Sequence, residues 1–412
     1  MIAADCDVLI IGARVAGSSL AIRLAERGRK VVVVDRDSFP SDTISTHFLA
    51  FNVVDMLRRL DVLDRILGAG FRRVHRHRAW IDDIAIDVPA GPRGAFSIAP
   101  KRYVLDQILI DRAREAGAQV IERARADGVI VEEGRVVGAK VQMIGGEMRE
   151  IRARVVVGAD GKTSQFARWV EAPRYNERPP GRPVYLGYFH GVDPLPQTTI
   201  EMFFKDERFG FCFPMRPDED LLCVEAQPAE FDEIRREPLA WLMARLRELP
   251  GMEERLSHAE IDGKVVGVRS VDNCFRKPYG PGWALTGDAA YVKDPCTGYG
   301  VGDALVQGFL LSRALATYLE GAPWEETMRA YQERRDAQLT PLFEQTVAAV
   351  ERTDSSKEDL DRLRVMLLHQ QDARKLVRAL PSLVEQIFDP MDRLRHAVVG
   401  QLYEEASERA PA

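Results

Sequence analysis

The sequence predicts an α/β chain whose parallel-sheet layer is interrupted by a mostly antiparallel β block and followed by helices. Three observations carry that prediction. Residues 6–28 give a buried strand, a Gly-rich turn and a helix in direct succession. Far downstream lies a second Gly-rich segment, Leu285-Thr286-Gly287-Asp288-Ala289-Ala290, followed by Asp294-Pro295-Cys296-Thr297-Gly298-Tyr299-Gly300. Between them, over 184–275, the apolar spacing changes from helical to strand-like.

The elements follow in order. Cys6–Ile11 is short, apolar and ended by Gly12, as a strand buried on both faces would be. Residues 16–28 read as a helix, with Leu20, Ile22, Leu24 and Ala25 apolar and Gly28 as its stop. Val31–Val34 is a second buried strand ending at Asp35, and the crossover rule makes the pair parallel. The spacing of Val54, Leu57, Leu60, Leu63 and Ile66 predicts one amphipathic helix over 51–67. Residues 74–88 alternate as a strand. Arg102–Ala116 reads as a helix, with strands at 118–122, 128–132, 136–143 and 151–157. The Pro- and Arg-rich stretch 173–183 reads as a crossing between domains. Strands are then expected at Val184–Val192, Thr198–Phe204, Gly210–Met215, Leu221–Gln227 and Val265–Asn273, interrupted by a helix at Pro238–Glu248. Trp283–Leu285 is a buried strand, Gly302–Leu319 a long helix, and the chain is helical from Trp324 onward. This order implies a discontinuous nucleotide-binding domain (1–73, 100–172 and 276–345), a substrate domain (74–99 and 173–275) and a C-terminal helical segment (346–412).

Bulk properties exclude several classes. The 412 residues are 46% hydrophobic and 29% charged, ordinary for a globular chain with a large core. A net charge of -6 argues against nucleic acid as the main partner. The five cysteines (Cys6, Cys212, Cys223, Cys274 and Cys296) are scattered, without Cys-x-x-Cys spacing, so free thiols in a reducing cytoplasm are expected. No apolar run is long enough to span a membrane, and the first one is strand-sized.

Three motifs carry chemistry. In Gly12-Ala13-Arg14-Val15-Ala16-Gly17, Gly12 allows a tight turn and Gly17 lets the helix approach the sheet. The helix N-terminus offers unpaired N–H groups to a pyrophosphate, and Asp35 is placed to accept from ribose hydroxyls. The middle position, usually glycine, is Arg14, which adds positive charge there. The second motif, Val155-Val156-Val157-Gly158-Ala159-Asp160-Gly161, ends a buried strand in small residues and an acid, or is an ordinary Asp-Gly turn. In the third, Asp288 is placed for a ribityl hydroxyl, while Gly298-Tyr299-Gly300 opens a long helix toward an electron-rich ring edge.

Together, these motifs and Arg102 opening a helix after Pro100 resemble the FAD-dependent monooxygenases of the para-hydroxybenzoate hydroxylase type (group A) over residues 5–345. Geranylgeranyl reductases and flavin-dependent halogenases share that scaffold. The resemblance implies a Rossmann-like FAD-binding domain with an inserted, mostly antiparallel β substrate domain and C-terminal helices. It implies that Gly12, Ala13, Arg14, Ala16, Gly17, Asp35 and Arg36 hold the ADP half of FAD. Arg102 would contact the ribityl or pyrophosphate region. Asp160 would lie near the pyrophosphate and serve NAD(P)H reactivity. Gly287 and Asp288 would bind ribityl and phosphate groups. Pro295, Gly298, Tyr299 and Gly300 would line the isoalloxazine, with Ser45 and Thr46 in the opposing helix-opening segment 40–47. His47, beside Pro295, is the candidate for substrate contact or proton transfer, or else a helix-start histidine bonded to backbone.

The activity implied is NAD(P)H-driven monooxygenation through a C4a-hydroperoxyflavin, with O2 and a small aromatic molecule as co-substrates. The alternative is reduction of isoprenoid-like double bonds. Segment 40–47 lacks the Cys-Gly-Gly type sequence of the reductases and halogenases. Phe209-Gly210-Phe211-Cys212-Phe213-Pro214 lacks the tryptophans of the halogenase Trp-x-Trp-x-Ile-Pro signature. Tyr188, Phe203, Phe211 and Phe213, at alternating strand positions, are expected in the core or lining the substrate pocket. His75-x-His77 has no carboxylate or cysteine to complete a metal site, and the basic run 72–78 reads as a solvated strand edge. Two roles stay open for the C-terminal helices: covering the active site, or forming a homodimer interface.

Overall fold

A computed structural model describes residues 4–43, 47–205, 208–268 and 273–351. The chain opens with β1 (Cys6–Ile11), α1 (Val15–Ala25) and β2 (Val31–Val34). Helices α2 (Phe51–Arg59) and α3 (Leu63–Gly68) follow, then β3 (Arg76–Ile81), β4 (Ile84–Pro89) and α4 (Arg102–Glu115). Next come β5 (Gln119–Ile121), β6 (Arg125–Glu132), β7 (Arg135–Gln142), β8 (Met148–Gly158) and α5 (Gln165–Trp169). A strand-rich stretch holds β9 (Arg174–Arg178), β10 (Val184–His190), β11 (Thr199–Lys205), β12 (Arg208–Arg216) and β13 (Glu219–Glu225). Helices α6 (Phe231–Arg236), α7 (Pro238–Arg247) and α8 (Met252–Arg255) precede β14 (Glu260–Val268), β15 (Asn273–Arg276), β16 (Tyr279–Gly280), β17 (Trp283–Leu285) and β18 (Tyr291–Val292). The long helices α9 (Gly300–Leu319) and α10 (Trp324–Glu351) end the described chain.

An eight-stranded sheet runs β16-β17-β8-β1-β2-β5, extended by β7 on β8 and β6 on β7. Its centre, β17-β8-β1-β2-β5, is parallel, as the apolar runs of β1 and β2 require. Helices α1, α4 and α9 pack together on one face. A seven-stranded sheet runs β14-β10-β13-β12-β11-β3-β4. It is antiparallel except where β11 meets β3. One of its faces joins the main core through Phe211, Phe213, Leu221 and Cys223. The other carries a separate core around Trp241 of α7. A small sheet, β18-β15-β9, ties the two ends of the strand-rich stretch to residues that follow β17.

Several expected elements differ. The helix expected over 51–67 is two, because Asp61 adopts φ 58 between them while Leu60 and Val62 stay buried. The strand expected over 74–88 is the hairpin β3–β4, turning at Asp82 with φ 49. The strand expected at Val265–Asn273 resolves into the ends of β14 and β15, which lie in different sheets. Among the described residues of segment 40–47 no helix begins, and α2 starts at Phe51. The C-terminal segment expected at 346–412 lies outside the described residues beyond Glu351. Among the described residues no helix is long and apolar enough to cross a membrane, and no His, Cys, Asp and Glu cluster could hold a metal ion.

Candidate active site

The site is a cavity of ≈ 790 Å³ that starts at Asp35 and Arg125 and reaches Pro295, Gly300 and Val301. At its first end β1 stops at Gly12, which has φ +108. A Cβ there would lie 2.4 Å from the Ala159 carbonyl oxygen, and one on Gly17 would lie 1.8 Å from that of Gly12. Only hydrogen fits, so α1 begins hard against the ends of β1 and β8. Asp35 accepts from the Ala13 N–H (2.7 Å) and the Asp37 N–H (2.9 Å), and burial raises its pKa. Arg36 is on the cavity rim with its side chain exposed.

Arg14 turns its guanidinium to Asp106 Oδ2 (2.9 Å), Asp37 Oδ2 (3.2 Å) and Ser41 Oγ (3.1 Å). Arg102 donates from Nε and Nη2 to the same Asp106, at 3.0 Å each. The fully buried Asp106 therefore ties the Gly-rich turn to the first turn of α4. Asp37 and Asp106 together balance the two guanidiniums, so the cluster brings fixed guanidinium groups to the cavity wall without a net charge of its own. Asp106 carries no motif of its own; the only sequence signal was its i,i+4 spacing from Arg102.

Midway, Gly287 packs against Ala16. The Asp288 carboxylate opens into the cavity, and among the described residues no donor engages it. Protein encloses it nonetheless, so desolvation raises its pKa against the pull of Arg102 and Lys162. Asp160 also borders the cavity, but its carboxylate caps α5, accepting from Ser164 Oγ (2.5 Å), Gln165 N (2.8 Å) and Phe166 N (3.0 Å).

At the far end, Asp294 accepts from the Cys296 N–H at 2.9 Å and starts a short turn over Pro295–Thr297. Gly298 follows with φ 72, then Tyr299 as the residue before α9. Gly300, Val301, Asp303 and Ala304 of α9 face the cavity, and Val184 and Leu186 of β10 close it from the β block. Burial pushes the Cys296 thiol well up, which fits an inert side chain.

His47 is buried beside this end, with φ 60 and Nε2 2.5 Å from Tyr188 Oη. Burial, aided by Arg102 and Lys101, lowers its pKa to about 3, while burial raises that of Tyr188. Both are neutral at pH 7. Phe48 sits against Phe213 (5.9 Å), His77 (5.5 Å) and Tyr299 (5.8 Å), and Phe211 lies 5.0 Å from Phe213. Tyr188, Phe211 and Phe213 thus pack behind the cavity wall rather than on it. Phe203 is on the wrong face for a pocket residue. It pairs with Gly210, the neighbour of Phe211, so the pleat sends its ring to the outer core, where it stacks on Trp80. Ser45 and Thr46 lie outside the described residues.

The cavity fits an extended flavin dinucleotide. Glycine-only contacts clear the helix N-terminus for a diphosphate, an unengaged carboxylate meets the middle, and a second helix N-terminus meets the far end. Fold and site together define a flavoprotein of the doubly contacted type, in which both Gly-rich segments serve one ligand. The chain belongs to the FAD binding domain family, whose profile matches residues 5–346. It is an FAD-dependent oxidoreductase. It is 25% identical to a 1H-pyrrole-2-carbonyl peptidyl-carrier-protein brominase of Pseudoalteromonas luteoviolacea, over 79% of this chain and 81% of that one. It is 26% identical to a digeranylgeranylglycerophospholipid reductase of Methanosarcina acetivorans, over 75% and 74%. The solved complex of aklavinone-11 hydroxylase with FAD and aklavinone shares the fold, with TM-score 0.71 and 21% identity over 85% of this chain and 69% of that one.

Proposed function

We propose that this chain is an NAD(P)H-using monooxygenase that transfers one oxygen atom of O2 to a small aromatic substrate. The observation that supports the reading lies behind the far end of the cavity: Phe48 packed ring to ring with Phe213 and Tyr299, beside one buried, neutral His47–Tyr188 pair. FAD, when bound, supplies the redox chemistry with NAD(P)H and O2. The protein's part is placement. Asp35 and Arg36 take the ribose end, and Gly12, Ala13, Ala16 and Gly17 admit the diphosphate to the start of α1. Arg14 and Arg102, held by Asp37 and Asp106, present their guanidinium groups to the diphosphate, and Asp288 accepts from ribityl hydroxyls. Pro295 to Gly300 and the start of α9 cover the ring system. The aromatic cluster behind the far end keeps water from reaching it through the protein. His47 Nε2 is hydrogen-bonded to Tyr188 Oη behind the wall, and this neutral pair is the partner we assign to the hydroxyl proton of a phenolic substrate.

A second reading, reduction of isoprenoid-like double bonds, is favoured by the similarity to the archaeal lipid reductase. One experiment separates them. NADPH oxidation and product formation are followed with phenols and with polyprenyl compounds, in air and under argon, using isotope-labelled O2. Labelled oxygen in a phenolic product is the expected result. Undiminished turnover under argon would sink the monooxygenase reading and establish the second one.

A further inference from the structure

The cavity wall holds a charge pair that the placement above leaves unused. Lys293 follows β18, and its Nζ lies 2.7 Å from Asp303 Oδ2 in the first turn of α9. Both side chains are nearly sealed, at 3% and 4% exposure. Beyond this ion pair, neither Nζ nor Asp303 Oδ2 has a hydrogen-bonding partner among the described residues. The ammonium lies 5.5 Å from the Tyr299 ring and 5.9 Å from that of Tyr291. Lys293 and Asp303 both line the cavity at the end closed by Pro295 and Gly300.

Such a pair is a poor device for stability. Desolvating two charges costs several kcal/mol per ion, and a well-packed apolar pair of similar volume often serves a fold as well or better. A charge on the wall of a dry cavity acts strongly on whatever occupies that cavity, because little water screens it. Two electrons and one proton added to an isoalloxazine leave one negative charge on it, and this end of the cavity is where that ring would lie. We propose that Lys293 and Asp303 set the reduction potential of the bound flavin: the ammonium favours the reduced ring, and the carboxylate offsets it. The inference rests on FAD occupying the cavity and is independent of which substrate is oxidised.

The two partners must act with opposite signs, which a merely structural pair would not show. The FAD-loaded protein, without substrate or NAD(P)H, is titrated anaerobically with dithionite beside a reference dye. Asp303→Asn leaves an uncompensated cation and is expected to raise the potential by at least about 30 mV, a tenfold change in the equilibrium of a two-electron couple. Lys293→Met is expected to lower it by less, because a lone buried carboxylate relieves its own charge by taking a proton. Lys293→Arg should stay within threefold of the parent equilibrium. Shifts below threefold in both charge-removing variants, or shifts of the same sign, overturn the proposal. Should Lys293→Met fail to fold, Asp303→Asn decides alone. A parent protein that retains no FAD would overturn the cofactor assignment instead, an outcome distinct from any result on the variants.

Discussion

The two ends of the cavity are built in different ways. At the nucleotide end, shape comes from the backbone: Gly12 and Gly17 touch main-chain atoms closer than any side chain would permit. Charge there is fixed by a salt-bridged cluster, Arg14–Asp106–Arg102. At the reaction end, shape comes from side chains. Behind it Phe48 meets His77, Phe213 and Tyr299 ring to ring and the adjacent His47 meets Tyr188, so five separate parts of the chain contribute. The contrast separates a part that leaves no room for substitution from a part that does. A backbone cradle tolerates no substitution and accepts one kind of ligand, whereas a side-chain wall can be re-cut for new substrates without disturbing the cradle.

The largest effect is expected at the cradle. Gly17→Val places a branched side chain where a Cβ alone would sit 1.8 Å from the Gly12 carbonyl oxygen, and the clash is with main chain that has no rotamer to change. The variant should be insoluble or free of FAD, read from flavin absorbance after purification. A soluble Gly17→Val protein with one FAD per chain would break the claim that this end is set by the backbone.

Asp106→Asn comes next. It leaves the overall geometry in place and removes the carboxylate that both guanidiniums share. Breaking a buried pair costs about 3–5 kcal/mol, and the partly exposed Arg14, which keeps Asp37, places this case near the lower figure. Urea unfolding gives the stability loss, and fluorescence quenching of FAD gives the affinity. A loss under about 1 kcal/mol would show that the cluster is dispensable and that Arg14 simply replaces a glycine.

The same division explains what the sequence disclosed. The nucleotide end was legible because its features are local: a Gly-rich turn, an apolar strand and an acid at a fixed distance each follow from backbone needs. The parallel pair β1–β2 and the burial of β8 were legible for the same reason, since continuous apolar runs belong to strands buried on both faces. Asp106 and Lys293 were not, because their roles depend on partners that folding brings near, such as Arg14 and Asp303. Phe203 shows the limit most plainly. It alternates with its neighbours as a pocket residue would, but its face is decided by pairing with Gly210, and pairing register across strands is not written in either strand alone. The break at Asp61 was likewise hidden, because the apolar spacing continues through it while one left-handed residue redirects the chain.

The smallest effect tests whether the reaction end is dry. An unfolded histidine titrates near 6.5, and His47 in the fold near 3. Between those values the unfolded chain binds a proton that the folded chain refuses, so stability falls as the pH is lowered. The His47 contribution is full above about pH 6.5 and is lost toward 3, at up to about 1.4 kcal/mol per pH unit. Asp220 and Glu225, raised by burial to about 6 and about 7, act in the opposite sense. Their contributions are full at low pH and disappear as the pH rises through those values, so the parent profile alone would mask the histidine. The difference between parent and His47→Gln isolates it. Urea unfolding of both at pH 7, 6 and 5 should show the parent's advantage shrinking with each step down. A gap that stays constant would mean that His47 takes up its proton in the folded state. The aromatic wall would then be wet, and the neutral His47–Tyr188 pair would lose the dry surroundings that its role as a proton partner requires.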